Sequence, residues 1–114
     1  MAASDLYNRA EALERLGGDE RLFASLAAMF VAESAGYCRV LEEALAGADA
    51  VVLRREAHST KSMLATFSYE AGREQAMRLE HLAATGSLAG ADTLTAEVIA
   101  AVRRLADVLE EEFA

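Results

Sequence analysis

Leu53-Arg54-Arg55-Glu56-Ala57-His58-Ser59-Thr60-Lys61-Ser62-Met63-Leu64-Ala65-Thr66-Phe67 is the stretch on which the reading of this chain turns. Leu53, Ala57, Thr60, Leu64 and Phe67 recur at spacings of four and three, which on a helix gathers them into one inward stripe. At roughly 100° per residue, His58 lies about 140° from the centre of that stripe, so the imidazole is expected to face water. Arg54 and Lys61 flank it four residues before and three after, while Ser62 and Ala65 follow on the same side with short side chains. A cationic, sterically open site around one outward histidine is the result.

Working outward, the 114 residues suit one domain, 1–114, with a single core. Hydrophobic residues make up 54 % of the chain, much of it alanine, with no tryptophan and no proline. Small side chains and the absence of proline favour closely packed helices over a sheet. The net charge of −8 repels polyanions and argues against nucleic-acid binding. Against that background Val51 to Ser62 carries Arg54, Arg55 and Lys61 opposed only by Glu56, so the neighbourhood of His58 is a local exception. A single cysteine forms no internal disulfide, and Asp5, Arg9 and Glu11 interrupt any leader-like apolar run. The apolar segment Leu26 to Ala32 is far short of the ~20 residues a membrane span needs. A cytoplasmic, soluble domain is expected.

Ser4 is read as the cap of a short first helix ending near Leu16, with Gly17-Gly18 as its left-handed stop. Asp19 caps the next helix, whose Leu22, Phe23, Leu26, Met29 and Phe30 form a broad stripe. The stripe has two readings: all five residues belong to the core, or one edge meets a partner while the centre packs inward. Ser34 and Gly36 mark a break before a third helix carrying Tyr37, Val40, Leu41, Ala44 and Leu45. Gly47 ends that helix and Asp49 caps the central one. After a turn at Ser68-Tyr69, a helix with Ala76, Leu79, Leu82 and Ala83 inward runs to Gly86, its start weakened by Gly72. Ser87 to Ala91 forms the longest loop, and Asp92 caps a final helix with Leu94, Val98, Ala101, Val102, Leu105, Val108 and Leu109 inward. Short connections imply antiparallel neighbours, hence an all-α, up-and-down four-helix bundle with a short additional N-terminal helix.

Chemistry beyond His58 finds little footing. Di-metal bundles need Glu-x-x-His pairs and the chain has none, so no metal site is expected. There is no phosphate-cradling glycine loop for a nucleotide and no Gly-x-Ser-x-Gly elbow for a hydrolase. Cys38 reads as a small core filler and His81 as a solvated surface residue. A neutral imidazole, by contrast, is a good nucleophile near neutral pH, and the Nε2 atom of His58 reaches furthest from its helix. A phosphoryl group there adds roughly −1.5 to −2 charge, which Lys61, one turn on, is placed to balance.

These residues carry a likeness. Ala57-His58-Ser59-Thr60-Lys61-Ser62 resembles the Ala-His-x-x-Lys-Gly signature of histidine-containing phosphotransfer domains of two-component phosphorelays. The similarity continues through Leu13-Glu14-Arg15-Leu16-Gly17-Gly18-Asp19-Glu20, Phe30-Val31-Ala32-Glu33 and Ala76-Met77-Arg78-Leu79-Glu80. The resemblance implies a phosphoryl carrier without ATP binding or autokinase activity. It would accept a phosphoryl group from a receiver-domain aspartyl phosphate and pass it to another receiver. His58 would be the phosphoacceptor and Lys61 the phosphoryl charge partner, with Ser62 lining the site in place of the family glycine. The outer faces of the central and Asp19–Glu33 helices would dock the partner, through Arg54, Arg55, Ala65 and Phe30. Partners would be response-regulator receiver domains or a hybrid sensor histidine kinase. No cofactor would belong to the chain itself, because the Mg²⁺ would sit on the receiver. A site facing outward needs no second copy, so a monomer is expected.

Of two departures, Thr60 before the lysine and Ser62 after it, Ser62 alone argues for an alternative: a degenerate module that binds and inhibits a kinase or receiver without phosphotransfer. The substrate domain of a chemotaxis-type kinase would share the His58 chemistry but take its phosphate directly from an ATP-binding domain. A later family glycine is Ser68 here, which leaves the geometry of the following turn open.

Overall fold

Alanine-rich segments without proline become five helices in the computed structural model, which describes residues 6–113. They are α1 (Arg9–Arg15), α2 (Glu20–Ala46), α3 (Ala50–Thr66), α4 (Glu70–Ala84) and α5 (Ala91–Glu112), and no strand occurs among the described residues. Helix α3 packs on α4, α4 on α5, α5 on α2 and α2 on α3, which closes a four-helix bundle with α1 across one end. The expected architecture therefore stands.

The local rules hold at most boundaries. The Asp19 and Asp49 side chains accept hydrogen bonds from the amides of Leu22 and Val52 at the starts of α2 and α3. Gly17 and Gly18 adopt φ of 69° and 77° after α1. The turn after α3, whose geometry the sequence left open, is left-handed, with Ser68 at φ of 54°. The conformation is held by its surroundings: the Ser68 hydroxyl donates to Glu11 at 2.8 Å and its carbonyl accepts from the Asn8 amide at 3.1 Å.

Four expectations are corrected. The cap of α1 is Asn8, whose side chain accepts from the Glu11 amide, and Ser4 lies outside the described residues. No break occurs at Ser34 and Gly36, because α2 runs unbroken for 27 residues. A helical glycine costs only about 1 kcal/mol. Packing on α3 and α5 outweighs it, and the Ser34 hydroxyl is occupied by the Val31 carbonyl at 2.8 Å. Helix α5 is entered through Gly90 at φ of 83°, so Asp92 sits in the first turn near the positive helix end and not at the cap. Gly72 does not weaken α4. A Cβ there would meet the Tyr69 ring at 3.0 Å and Leu64 Cδ1 at 3.1 Å, so the missing side chain is what lets α4 approach α3 closely.

The α3 stripe is interior as read: Leu53, Ala57, Thr60, Leu64 and Phe67 are all buried. The α2 stripe divides. Phe23 and Phe30 are buried and Leu26 is half-buried, whereas Leu22 and Met29 are exposed. The reading that puts all five in the core is therefore corrected: Leu22 and Met29 form an exposed outer edge while the centre packs inward.

Candidate functional site

With Ala57 and Thr60 pinned inward, α3 has to turn the residue after Ala57 outward. The His58 side chain is 59 % exposed, and Lys61 on the next turn is 25 % exposed. The two are brought together by a third residue. Glu80, from the neighbouring α4, places Oε2 at 2.7 Å from His58 Nδ1 and Oε1 at 2.6 Å from Lys61 Nζ. Close α3–α4 packing over Gly72 and the small buried Ala76 makes this reach possible.

Glu80 is only 13 % exposed. Desolvation pushes its pKa upward, but hydrogen bonds from Lys61 and His58 outweigh that, and the carboxyl sits below its ordinary range. It is therefore an anion at neutral pH, and an ionised carboxylate only accepts hydrogen bonds. Both neighbours must donate, so the proton of the neutral His58 ring belongs on Nδ1. Nε2 then carries a lone pair, and it has no protein partner among the described residues.

The Ser62 hydroxyl folds back onto its own helix and donates to the His58 carbonyl at 3.2 Å. Beside the ring, Val51, Arg54, Arg55, His58, Ser59 and Glu80 line an open depression of about 460 Å³. Arg54 and Arg55 are exposed there, with Arg55 3.5 Å from Glu56. Ala65 is half-buried, and its carbonyl accepts from Arg15 at 2.6 Å, so α1 caps the C-terminus of α3.

Phe30 is a correction. Its ring has 0 % exposure and stands 5.4 Å from the Phe67 ring, so no partner can touch it. It falls on the inner line of Phe23 and Ala27, at spacings of three and four, and the exposed apolar side chain at that level of α2 is Met29, at 54 %. His81 is exposed. Cys38 is buried, which pushes its thiol pKa up and keeps it a poor nucleophile. Among the described residues no three His, Cys, Asp or Glu side chains gather to hold a metal, and no helix is long and apolar enough to cross a membrane.

Glu80 is the residue that sequence reasoning missed. Its one signal is position: it follows the inward Leu79 and so sits at the edge of the buried face of α4, where a carboxylate needs a donor. Which donor depends on the register of α4 against α3, and that is a tertiary property.

Comparison with known proteins agrees with the geometry. A family model described as the Hpt domain matches residues 25–112. The crystal structure of histidine-containing phosphotransfer protein B (HptB) from Pseudomonas aeruginosa PAO1 superposes with a TM-score of 0.85 at 23 % sequence identity, covering 95 % of this chain and 94 % of that one. At that identity the superposition speaks to the fold alone. No curated protein matches the chain.

Proposed function

Because the chain belongs to the Hpt domain family and its function is histidine phosphotransfer in phosphorelays, we propose that His58 is the residue that carries the phosphoryl group. One observation carries this reading: an exposed imidazole whose Nδ1 is held by a carboxylate and whose Nε2 points, unengaged, into solvent. Lys61, one helical turn away on α3, would offset part of the phosphate's charge and tune its stability. The partners are receiver domains and kinases of two-component systems. Their acidic phosphorylation pockets would meet the exposed Arg54 and Arg55, and Met29 and Val51 offer apolar rim contacts. The Mg²⁺ of the reaction belongs to the receiver, the chain acts as a monomer in the cytoplasm, and ATP is handled elsewhere.

The test is to mix the protein with a phosphorylated receiver and follow the label. The expected product is an acid-labile, alkali-stable phosphate on the wild type that is absent from His58→Gln. Stoichiometric binding of the receiver without label transfer would establish the inhibitory module instead.

A further inference from the structure

We infer that Arg54 is a second cation of the phosphorylated site, whose guanidinium grips the phosphoryl group on His58 over the turn of α3 that precedes the ring, an inference that rests on the phosphotransfer reading above.

The Lys61 ammonium is already matched. It stands 2.6 Å from one oxygen of Glu80, whose other oxygen faces His58, so much of its charge is neutralised before any phosphate arrives. A phosphoryl group brings roughly −1.5 to −2 charge, and the rest of the balance has to come from another cation. Side chains on a helix lean toward its N-terminus and cover the turn before their own Cα. The His58 ring therefore covers the turn of Arg54 and Arg55. The open depression of about 460 Å³ beside it is lined by those two residues with Val51, Ser59 and Glu80, and not by Lys61. Room for a group bonded to the ring thus lies on the arginine side.

The two arginines differ. Arg55 Nε lies 3.5 Å from a Glu56 oxygen, whereas the exposed Arg54 side chain makes no ion pair among the described residues. Residues four apart on a helix are neighbours, about 6 Å apart along the axis and about 40° apart around it, which sets Arg54 one turn before the ring on the same face. Its planar fork offers paired N–H donors that match two phosphoryl oxygens, and it stays charged throughout the working pH range. In the accepting step the Nε2 lone pair bonds to phosphorus as the bond from phosphorus to the receiver's aspartyl oxygen breaks, and that electron pair leaves with the carboxylate. Three phosphoryl oxygens remain on the ring, and Arg54 holds two of them.

The test loads His58 with phosphoramidate, a small donor that gives its phosphoryl group to imidazole and releases ammonia. A His81→Gln background leaves His58 as the one histidine. A ³¹P NMR titration then reads the midpoint at which the phosphoryl group passes from monoanion to dianion, the form that a guanidinium in contact favours. Arg54→Gln is expected to raise that midpoint by about 0.2–0.7 pH unit, the scale of an exposed ion pair, and Arg55→Gln by less than half as much. An unmoved midpoint in Arg54→Gln, or equal movement in the two variants, overturns the inference. Slower uptake from a phosphorylated receiver with an unmoved midpoint also overturns it, because Arg54 is then a docking contact alone. A His58 that takes nothing from phosphoramidate overturns it together with the reading it rests on. Loading by phosphoramidate needs no receiver, so a midpoint that depends on Arg54, in a protein that no receiver phosphorylates, refutes the phosphotransfer reading and leaves the role of Arg54 standing.

Discussion

Glu112 and Glu80 each accept hydrogen bonds from two side chains distant in sequence, and they serve opposite ends. Glu112 bridges the Tyr7 hydroxyl and the Arg9 guanidinium. Around it, Arg9 also pairs with Glu20 at 2.9 Å and lies over the Phe23 ring. Phe23 in turn packs against Tyr7, Phe67 and Phe113 with centroids 5.8 to 6.5 Å away. Burial and the neighbouring carboxylate raise the Tyr7 pKa well above its usual value, so its hydroxyl stays a donor. Both donors to Glu112, the Tyr7 hydroxyl and the Arg9 guanidinium, are thereby committed to carboxylates. Glu80 makes the same kind of bridge, but its imidazole donor is 59 % exposed and has a second nitrogen turned to water. A carboxylate bridge is a clasp where its donors are saturated and prepares chemistry where one donor keeps a reactive atom outside.

That contrast breaks most visibly at the aromatic end. Phe67→Ala is expected to cost about 3–5 kcal/mol in denaturant unfolding, the usual range for emptying a buried phenylalanine site. A loss under about 1 kcal/mol would mean the cluster does not anchor the bundle.

The two glutamates are then exchanged for alanine or glutamine. Glu112→Ala strands the half-buried bridge and should lower stability by about 1–3 kcal/mol, with label uptake at His58 unchanged. Glu80→Gln should change stability by no more than about 1 kcal/mol while slowing uptake. A well-folded Glu112→Ala protein that transfers slowly would erase the distinction between clasp and site.

Acid sharpens the comparison further. Folding holds the Glu80 carboxyl below its ordinary pKa, so its contribution is fully present above the unfolded value and is lost as pH falls through the lowered folded one. The stability gap between wild type and Glu80→Gln, at most about 1 kcal/mol, should therefore close on acidification. A gap that persists in strong acid would show that the ion pair is not its source.

The smallest effects belong to Ser62. Ser62→Gly should cost roughly 0.5 kcal/mol of helix stability and modestly speed transfer, because it clears space beside the ring. Loss of transfer in Ser62→Ala, with Ser62→Gly unchanged, would mean that the hydroxyl takes a chemical part.

How far the sequence could be read follows from where each feature's determinants lie. The α3 stripe, the outward His58, the Asp19 and Asp49 caps and the glycine stop after α1 depend on residues within a turn or two of one another, and periodicity reads them directly. Ser34 and Gly36 looked like a break because their local cost is visible in the sequence, whereas the packing of α2 on α3 and α5 that overrides it is not. Phe30 and Met29 are adjacent, so a broad stripe could not say which of them faces out. Gly72 looked like a weakness until Tyr69 and Leu64 were seen to occupy the space of its missing side chain. Glu80 stayed hidden for the same reason, since its partners lie 22 and 19 residues away on another helix.

On the proposed reading, the outward nitrogen of His58 is the atom that takes the phosphoryl group. A ³¹P–¹⁵N correlation spectrum of the ¹⁵N-labelled protein, phosphorylated by a receiver, tests it without substitution. Phosphorus coupled to Nε2 of His58 is the expected result, and phosphorus on Nδ1, on His81 or on no histidine at all would contradict it.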